Sequence, residues 1–456
     1  VPDYTPHTPD ELEAMLSFLG LSSEAELFDA IPEALKVVGG LALDDGQPEP
    51  DVVAAMERYA SLNAGTSSAI CFAGAGAYDH EIPPVVRSLS SRSEFVTAYT
   101  PYQPEVAQGV LQAIFEYQTL VARLAGLPVA NASLYDGATS LVEAINLGVA
   151  AARRPGVWLS SGVHPHWRAT AATFARGTGH ELTEVPLVGG RSDFDSMDES
   201  SAPGVVVVSW PTYLGTLEDL TDVRRRCDEL GALLVVAADP VMASVLKTPG
   251  SLGADVVVGE GQPLGTALSF GGPYLGLFAC TMDQVRRLPG RLVGETVDQE
   301  GRRAYVTTLR AREQDIRREK ATSNVCSNQT LMAVTAAIQL GWLGTQGLAE
   351  IAKRSVNATR YLLDQVVKID GVAPLLDGVP TARDVAITVP ADAPAVLDRL
   401  AHEGFLGGLA LESLTEEGDS SVDPSLRPRT ILMAATERRT RQEIDSFVSS
   451  LAKAVA

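Results

Sequence analysis

The chain has 456 residues, 45% of them hydrophobic and 20% charged, a balance that suits a soluble globular protein of two or three domains and not a disordered one. Its 36 basic residues stand against 57 acidic ones, a net charge of −21, which opposes binding to nucleic acid or to an anionic membrane. Cys71, Cys227, Cys280 and Cys326 form no CxxC pair, the six histidines include one close pair without an HExxH, and no apolar run nears a membrane span, so the sequence predicts a cytoplasmic protein with free thiols and no metal site.

The opening stretch VPDYTPHTPDELEAM has neither a basic nor an apolar leader segment. Two capping-box signals follow, at Thr8 to Glu11 and at Ser23 to Glu26, and each predicts a short helix. After Thr8 the residues Leu12, Met15, Leu16 and Leu19 share one face, and Gly20 is a natural stop. Residues 1–65 are therefore expected to form a helical arm that docks on the body or on a partner.

From about residue 66 short apolar runs alternate with helical periods, the pattern of a layered α/β domain. Val205 to Val208 and Leu233 to Ala237 flank a helical stretch, Leu220 to Leu230, which predicts a βαβ unit with buried parallel strands. Val157 to Leu159 and Val256 to Val258 are shorter strands of the same kind. The large domain is expected over 66–330. A smaller α/β domain, 331–456, follows, with strands near Val385 to Val389 and Ile431 to Ala434 and a last helix opened by the capping box Thr440 to Glu443.

Chemistry is most readily placed at the carboxyl ends of the central strands, where open α/β sheets bind ligands. The run Leu233 to Ala238 ends in Asp239, which is either a turn cap or the aspartate that holds a pyridine nitrogen protonated in pyridoxal-phosphate enzymes. Asp136, Gly137, Ala138 and Thr139 open an apolar-periodic helix; the exposed amides there suit a phosphate, or Asp136 is an N-cap alone. His164, Pro165 and His166 follow a strand and either stack on a cofactor ring or form an ordinary turn. The anchoring lysine of such enzymes follows the next strand, yet that place reads VVVGEGQPLG, with Gln262 and Pro263 and no lysine; none of Lys36, Lys247, Lys320, Lys353, Lys368 and Lys453 lies there. A carbonyl cofactor has no covalent anchor at the expected position.

Two further stretches stand out. Residues 93–105 pack Thr97, Tyr99, Tyr102 and Gln103 into a proline-stiffened loop, suited to a small polar ligand or to a partner surface. Arg317, Arg318 and Lys320 gather positive charge on an acidic background, either a patch for an anionic partner or a solvated helix face. Gly74 and Gly76 lack the third glycine of a dinucleotide fingerprint.

AGAGAYDHEIPPVV at 73–86, SRSEFVTAYTPYQPEVAQG at 91–109, ANASLYDGATSLVEA at 130–144, VVVGEGQPLG at 256–265, LSFGGPYLGLFA at 268–279 and REKATSNVCSNQTL at 318–331 resemble the signature blocks of the glycine decarboxylase P-protein, N-terminal (alpha) subunit, collinearly across essentially the whole chain. The resemblance implies a fold-type I, aminotransferase-like architecture and an α2β2 complex whose beta subunit carries the pyridoxal-phosphate lysine. Such a complex decarboxylates glycine and passes the aminomethyl group to the lipoyl arm of the H-protein. The missing lysine is then what an alpha subunit should show. It further implies that Thr97, Tyr99, Tyr102 and Gln103 reach the beta active site, and that Asp136, Gly137, Ala138, Thr139, His164 and Asp239 mark a vestigial cofactor pocket. The rival expectation is a catalytically silent scaffold that folds the beta subunit without touching substrate.

Overall fold

The computed structural model describes residues 6–37, 39–96, 100–198, 202–321, 323–415 and 418–456. They fall into two compact units, residues 1–64 and 65–456. In the first, Thr8 opens α1 (Pro9–Leu19) with a reciprocal capping box, and Gly20 closes it at φ 72°. A second helix, α2, spans Glu49–Ala60. The capping box expected at Ser23 does not form. Its side chain makes no cap bond, and Glu26 instead accepts from the Ser22 amide at 3.0 Å, so the segment is a single 3-10 stretch at Glu24–Phe28. No residue of α1 or α2 is buried.

The second unit is built on a seven-stranded sheet. In chain order its elements are α3 (Gln108–Ala125), β1 (Val129–Ala130), α4 (Gly137–Ala152), β2 (Gly156–Ser160), α5 (Pro165–Thr178), β3 (Glu181–Val185), β4 (Val205–Trp210), α6 (Leu220–Leu230), β5 (Leu233–Ala238), β6 (Val256–Glu260) and β7 (Gly276–Cys280). The strand order is β1-β7-β6-β5-β4-β2-β3, with β3, β2, β4, β5 and β6 parallel and β7 antiparallel to both its neighbours. The predicted βαβ unit is thus present, β4 pairing with β5 from Val205–Leu233 to Trp210–Ala238.

The unbroken valine runs are explained by burial on both faces. Val205, Val207, Val235, Val256 and Val258 point to one face, where α4 adds Leu141 and Ile145. Val206, Val208, Leu234, Val236 and Val257 point to the other, against Tyr117 and Val121 of α3 and Ala333, Ala336 and Leu340 of the long helix described next. Period-2 alternation combined with helices on both sides keeps the middle of these strands apolar, and the polar residues Ser209 and Glu260 sit at their carboxyl ends.

A hairpin of β8 (Leu292–Val297) and β9 (Arg303–Thr308) follows. The helix α7 (Thr330–Val366) then runs 37 residues and breaks its geometry at Gly344, φ 62°. It leads to a four-stranded antiparallel sheet of β10 (Ala373–Pro374), β11 (Asp384–Thr388), β12 (Leu409–Ala410) and β13 (Thr430–Ala434), ordered β10-β11-β13-β12. Two helices, α8 (Ala393–His402) and α9 (Arg441–Val455), cover it, and α9 starts with the predicted Thr440–Glu443 capping box. Phe72, Ile387, Ile431 and Phe447 centre this second core. Among the described residues no helix is long and apolar enough to cross a membrane.

Candidate functional site

Three of the predicted positions, His164, Asp239 and Pro263, converge at the carboxyl ends of β5 and β6. A small cavity there, about 70 Å³, is lined by Tyr78, His164, Asp239, Glu260, Pro263 and Asp384, among others. Asp239 serves two functions at the end of β5. Its Oδ1 caps the following turn, accepting from the Val241 and Met242 amides at 2.8 and 3.0 Å, while Oδ2 accepts from Arg383 Nη2. Arg383 precedes β11 of the small sheet and is 1% exposed. Its guanidinium carbon lies over the Tyr78 ring, 3.2 Å from the centroid, and its Nη1 donates to His80 Nε2 at 2.7 Å. A guanidinium only donates, so His80 accepts at Nε2 and its Nδ1–H donates to Glu437 Oε2, at 2.6 Å.

Tyr78 completes the plug. Its hydroxyl donates to Asp384 Oδ2 at 2.9 Å, and burial together with the Asp384 charge pushes the phenol well above its ordinary range. Burial likewise raises the Asp384 carboxyl to about 6, against the pull of Arg383.

At the start of α4, Asp136 accepts from the Thr139 amide at 2.7 Å and the Thr139 hydroxyl accepts from the Asp136 amide at 3.3 Å. The Gly137 amide, the first of the helix, donates to Glu260 Oε2 at 2.9 Å. The other Glu260 oxygen accepts from the Gln262 and Leu275 amides, each at 2.9 Å. Burial pushes Glu260 up to about 7, and the three amides oppose it. Trp167 closes the approach further, since a Cβ on Gly137 would meet its ring at 2.2 Å; Ala138 follows within the helix.

His164 sits just before α5, whose first residue is Pro165. It caps α5, accepting at Nδ1 from the His166 amide at 3.1 Å, and burial drops it to about 4. Of the two positions lacking the lysine, only Pro263 lines the cavity. Gln262 turns away and staples Tyr78, accepting from its amide at 2.9 Å and donating to its carbonyl at 3.1 Å.

These residues do not fit a covalently held pyridoxal phosphate. No lysine directly follows β6, Asp239 is occupied by Arg383 and the Gly137 amide by Glu260, and the cavity falls well short of the roughly 300 Å³ of a small-molecule pocket. Arg383 and Glu260 were not singled out in the sequence. The only available signal was a charged Arg383-Asp384 pair set directly before an apolar strand.

Tyr102 and Gln103 lie outside that cavity, and Thr97 and Tyr99 lie outside the described residues. Tyr102 is 56% exposed, its ring flanked by Arg291 and Arg310 at 5.5 and 6.0 Å. Arg291, at the start of β8, donates to the Tyr102 hydroxyl and Asn328 Oδ1, both at 3.3 Å, and to the Cys326 carbonyl at 3.1 Å. Behind it Ser133 is held at φ 110°, a strained conformation for a side-chain-bearing residue. Its hydroxyl accepts from the Gln329 amide at 3.1 Å, and Tyr135 accepts from the Cys326 amide at 3.0 Å. Three separate sequence blocks, near 102, 133 and 326, are thereby joined, and Arg291, from outside all of them, was missed in the sequence.

The architecture is that of the fold-type I pyridoxal-phosphate-dependent enzymes. A solved glutamate decarboxylase of Lactobacillus brevis superposes with a TM-score of 0.65 at 15% identity, over 95% of this chain and 96% of that one, a likeness of fold alone. A family profile described as glycine cleavage system P-protein matches residues 2–388, and the chain belongs to that family. It is 43% identical over 451 residues to a protein of Desulforamulus reducens named probable glycine dehydrogenase (decarboxylating) subunit 1, covering 98% of this chain and 99% of the relative. A crystal structure titled glycine decarboxylase (P-protein) of the glycine cleavage system, in inhibitor-bound form, superposes with a TM-score of 0.89 at 42% identity, over 99% of this chain and all of that one.

Proposed function

We propose that this chain is the alpha subunit, subunit 1, of a two-chain glycine dehydrogenase (decarboxylating, aminomethyl-transferring). With a beta subunit in an α2β2 assembly it decarboxylates glycine and delivers the aminomethyl group to the lipoyl group of the H-protein. Pyridoxal phosphate is held by the beta chain, where it supplies the electron sink that makes loss of carbon dioxide feasible. The observation that carries this reading is the internally filled cavity: Arg383 on Asp239 and Glu260 on the Gly137 amide. In that view Asp136, Gly137, Ala138, Thr139, His164 and Asp239 are a vestigial pocket kept for structure. Thr97, Tyr99, Tyr102 and Gln103 reach the beta active site across the interface, where the exposure of Tyr102 and Gln103 leaves them free to contact substrate.

The test is cofactor absorbance and glycine-dependent carbon dioxide exchange of the chain alone, then mixed with beta subunit and lipoylated H-protein. Absorbance and exchange only in the mixture is the expected result. Exchange by the isolated chain would overturn the reading and turn attention to Lys247 and Lys320. Alanine at Tyr102 and Gln103 separates this from the silent scaffold, which tolerates both changes provided assembly is intact.

A further inference from the structure

Arg291 is 9% exposed, and its acceptors, the Tyr102 hydroxyl, Asn328 Oδ1 and the Cys326 carbonyl, are all neutral. Nearby, Arg312 gives Nη1 to the Leu288 carbonyl and leaves Nε and Nη2 buried without a partner. Neither arginine has a carboxylate within 4.0 Å among the described residues; Arg310, by contrast, is paired with Asp315 at 3.2 Å. Both act on the Glu313 carboxyl, whose Oε1 is buried without a hydrogen bond and which burial pushes upward, away from the charged form. Among the described residues neither guanidinium is closed by an ion pair of its own. Buried charge in that state is unfavourable unless an anion arrives from outside.

The surroundings are built to receive one. Arg291 is fixed by the strained Ser133 segment and by residues 326–328, and Tyr102 stands exposed on its solvent side. A planar guanidinium fork matches the two oxygens of a carboxylate.

We propose that the surface around Tyr102 binds a carboxylate, with Arg291 supplying the charge and positioning the tyrosine. This rests on the reading that the loop faces the partner's active site. The carboxylate belongs either to glycine or to an aspartate or glutamate of the partner subunit, and the two are separable by experiment.

The complex is reconstituted with Arg291→Gln, Arg291→Lys or Tyr102→Phe in this chain, and the glycine KM and kcat of carbon dioxide exchange are measured beside the salt dependence of assembly. Loss of a desolvated charge pair predicts a change of roughly 30-fold or more for Arg291→Gln. A raised glycine KM with unchanged assembly assigns the substrate carboxylate. Weakened, less salt-sensitive assembly with unchanged KM assigns a partner side chain. If Arg291→Gln moves neither while Tyr102→Phe lowers turnover, the loop reading stands and the carboxylate site falls. If both variants are silent, the loop reading itself falls. Should Arg291→Gln not fold, Arg291→Lys keeps the charge but loses the fork; a rise in KM or in the assembly Kd of about threefold or more is expected, and no change in either overturns the site.

Discussion

Arg383 and Arg291 are both buried arginines, yet one sits in a closed electrostatic unit and the other in an open one. Arg383 faces Asp239, His80 and the Tyr78 ring, and the Glu437 carboxylate lies one hydrogen bond further on. Arg291 faces two oxygens of neutral side chains and a backbone carbonyl. The contrast separates a site that the chain has completed with its own charges from one that it leaves to be completed by another molecule. Burial alone does not distinguish the two; the inventory of acceptors does.

The largest effect is expected from opening the closed unit. Arg383→Ala strands Asp239 beside a desolvated cavity and should cost about 3–5 kcal/mol of unfolding free energy in urea. Adding Asp239→Asn removes the stranded charge and should recover part of that loss, and full additivity of the two changes would show that the pair is not coupled.

A second change addresses Glu143, a 9% exposed carboxyl on α4 beside Ser323. Burial lifts it from 4.5 to about 7. Below about pH 4.5 both folded and unfolded chains hold the proton. Between there and pH 7 only the folded chain does, so wild-type stability falls across that window and is flat above it with respect to this group. Glu143→Gln removes the slope, and its melting temperature should rise relative to wild type between pH 5 and pH 8, with a gain on the order of 3 kcal/mol at most. A constant offset across that range would refute the buried-acid assignment. The smallest effect belongs to the open site: Tyr102→Phe removes a long bond from an exposed ring and should alter the stability of the chain alone by less than about 0.5 kcal/mol, whatever it does to turnover in the complex.

The central sheet was readable from sequence because β4, β5 and β6 are buried on both faces, and continuous valine runs announce that condition directly. The capping boxes at Thr8 and Thr440 were equally plain, since the whole signal lies within four residues. Ser23 shows the limit of that logic, because Glu26 had a competing neighbour in Ser22. The site divides along similar lines. The absence of a lysine near Gln262 is a local fact and survives unchanged. That Arg383 crosses from the small sheet to Asp239, 144 residues earlier in the chain, or that Arg291 gathers residues 102, 326 and 328, depends on long-range packing that no periodicity records.

The break in α7 has a mechanical meaning. The stretch from Gly344 to Val366, at about 1.5 Å per residue, is a rod of roughly 33 Å whose far end is embedded in the core of the small sheet through Leu362 and Val366. A change of about 10° at the glycine would swing that end by roughly 6 Å. The salt link between Arg383 and Asp239 joins the two sheets, so a swing of that size would have to part a buried ion pair.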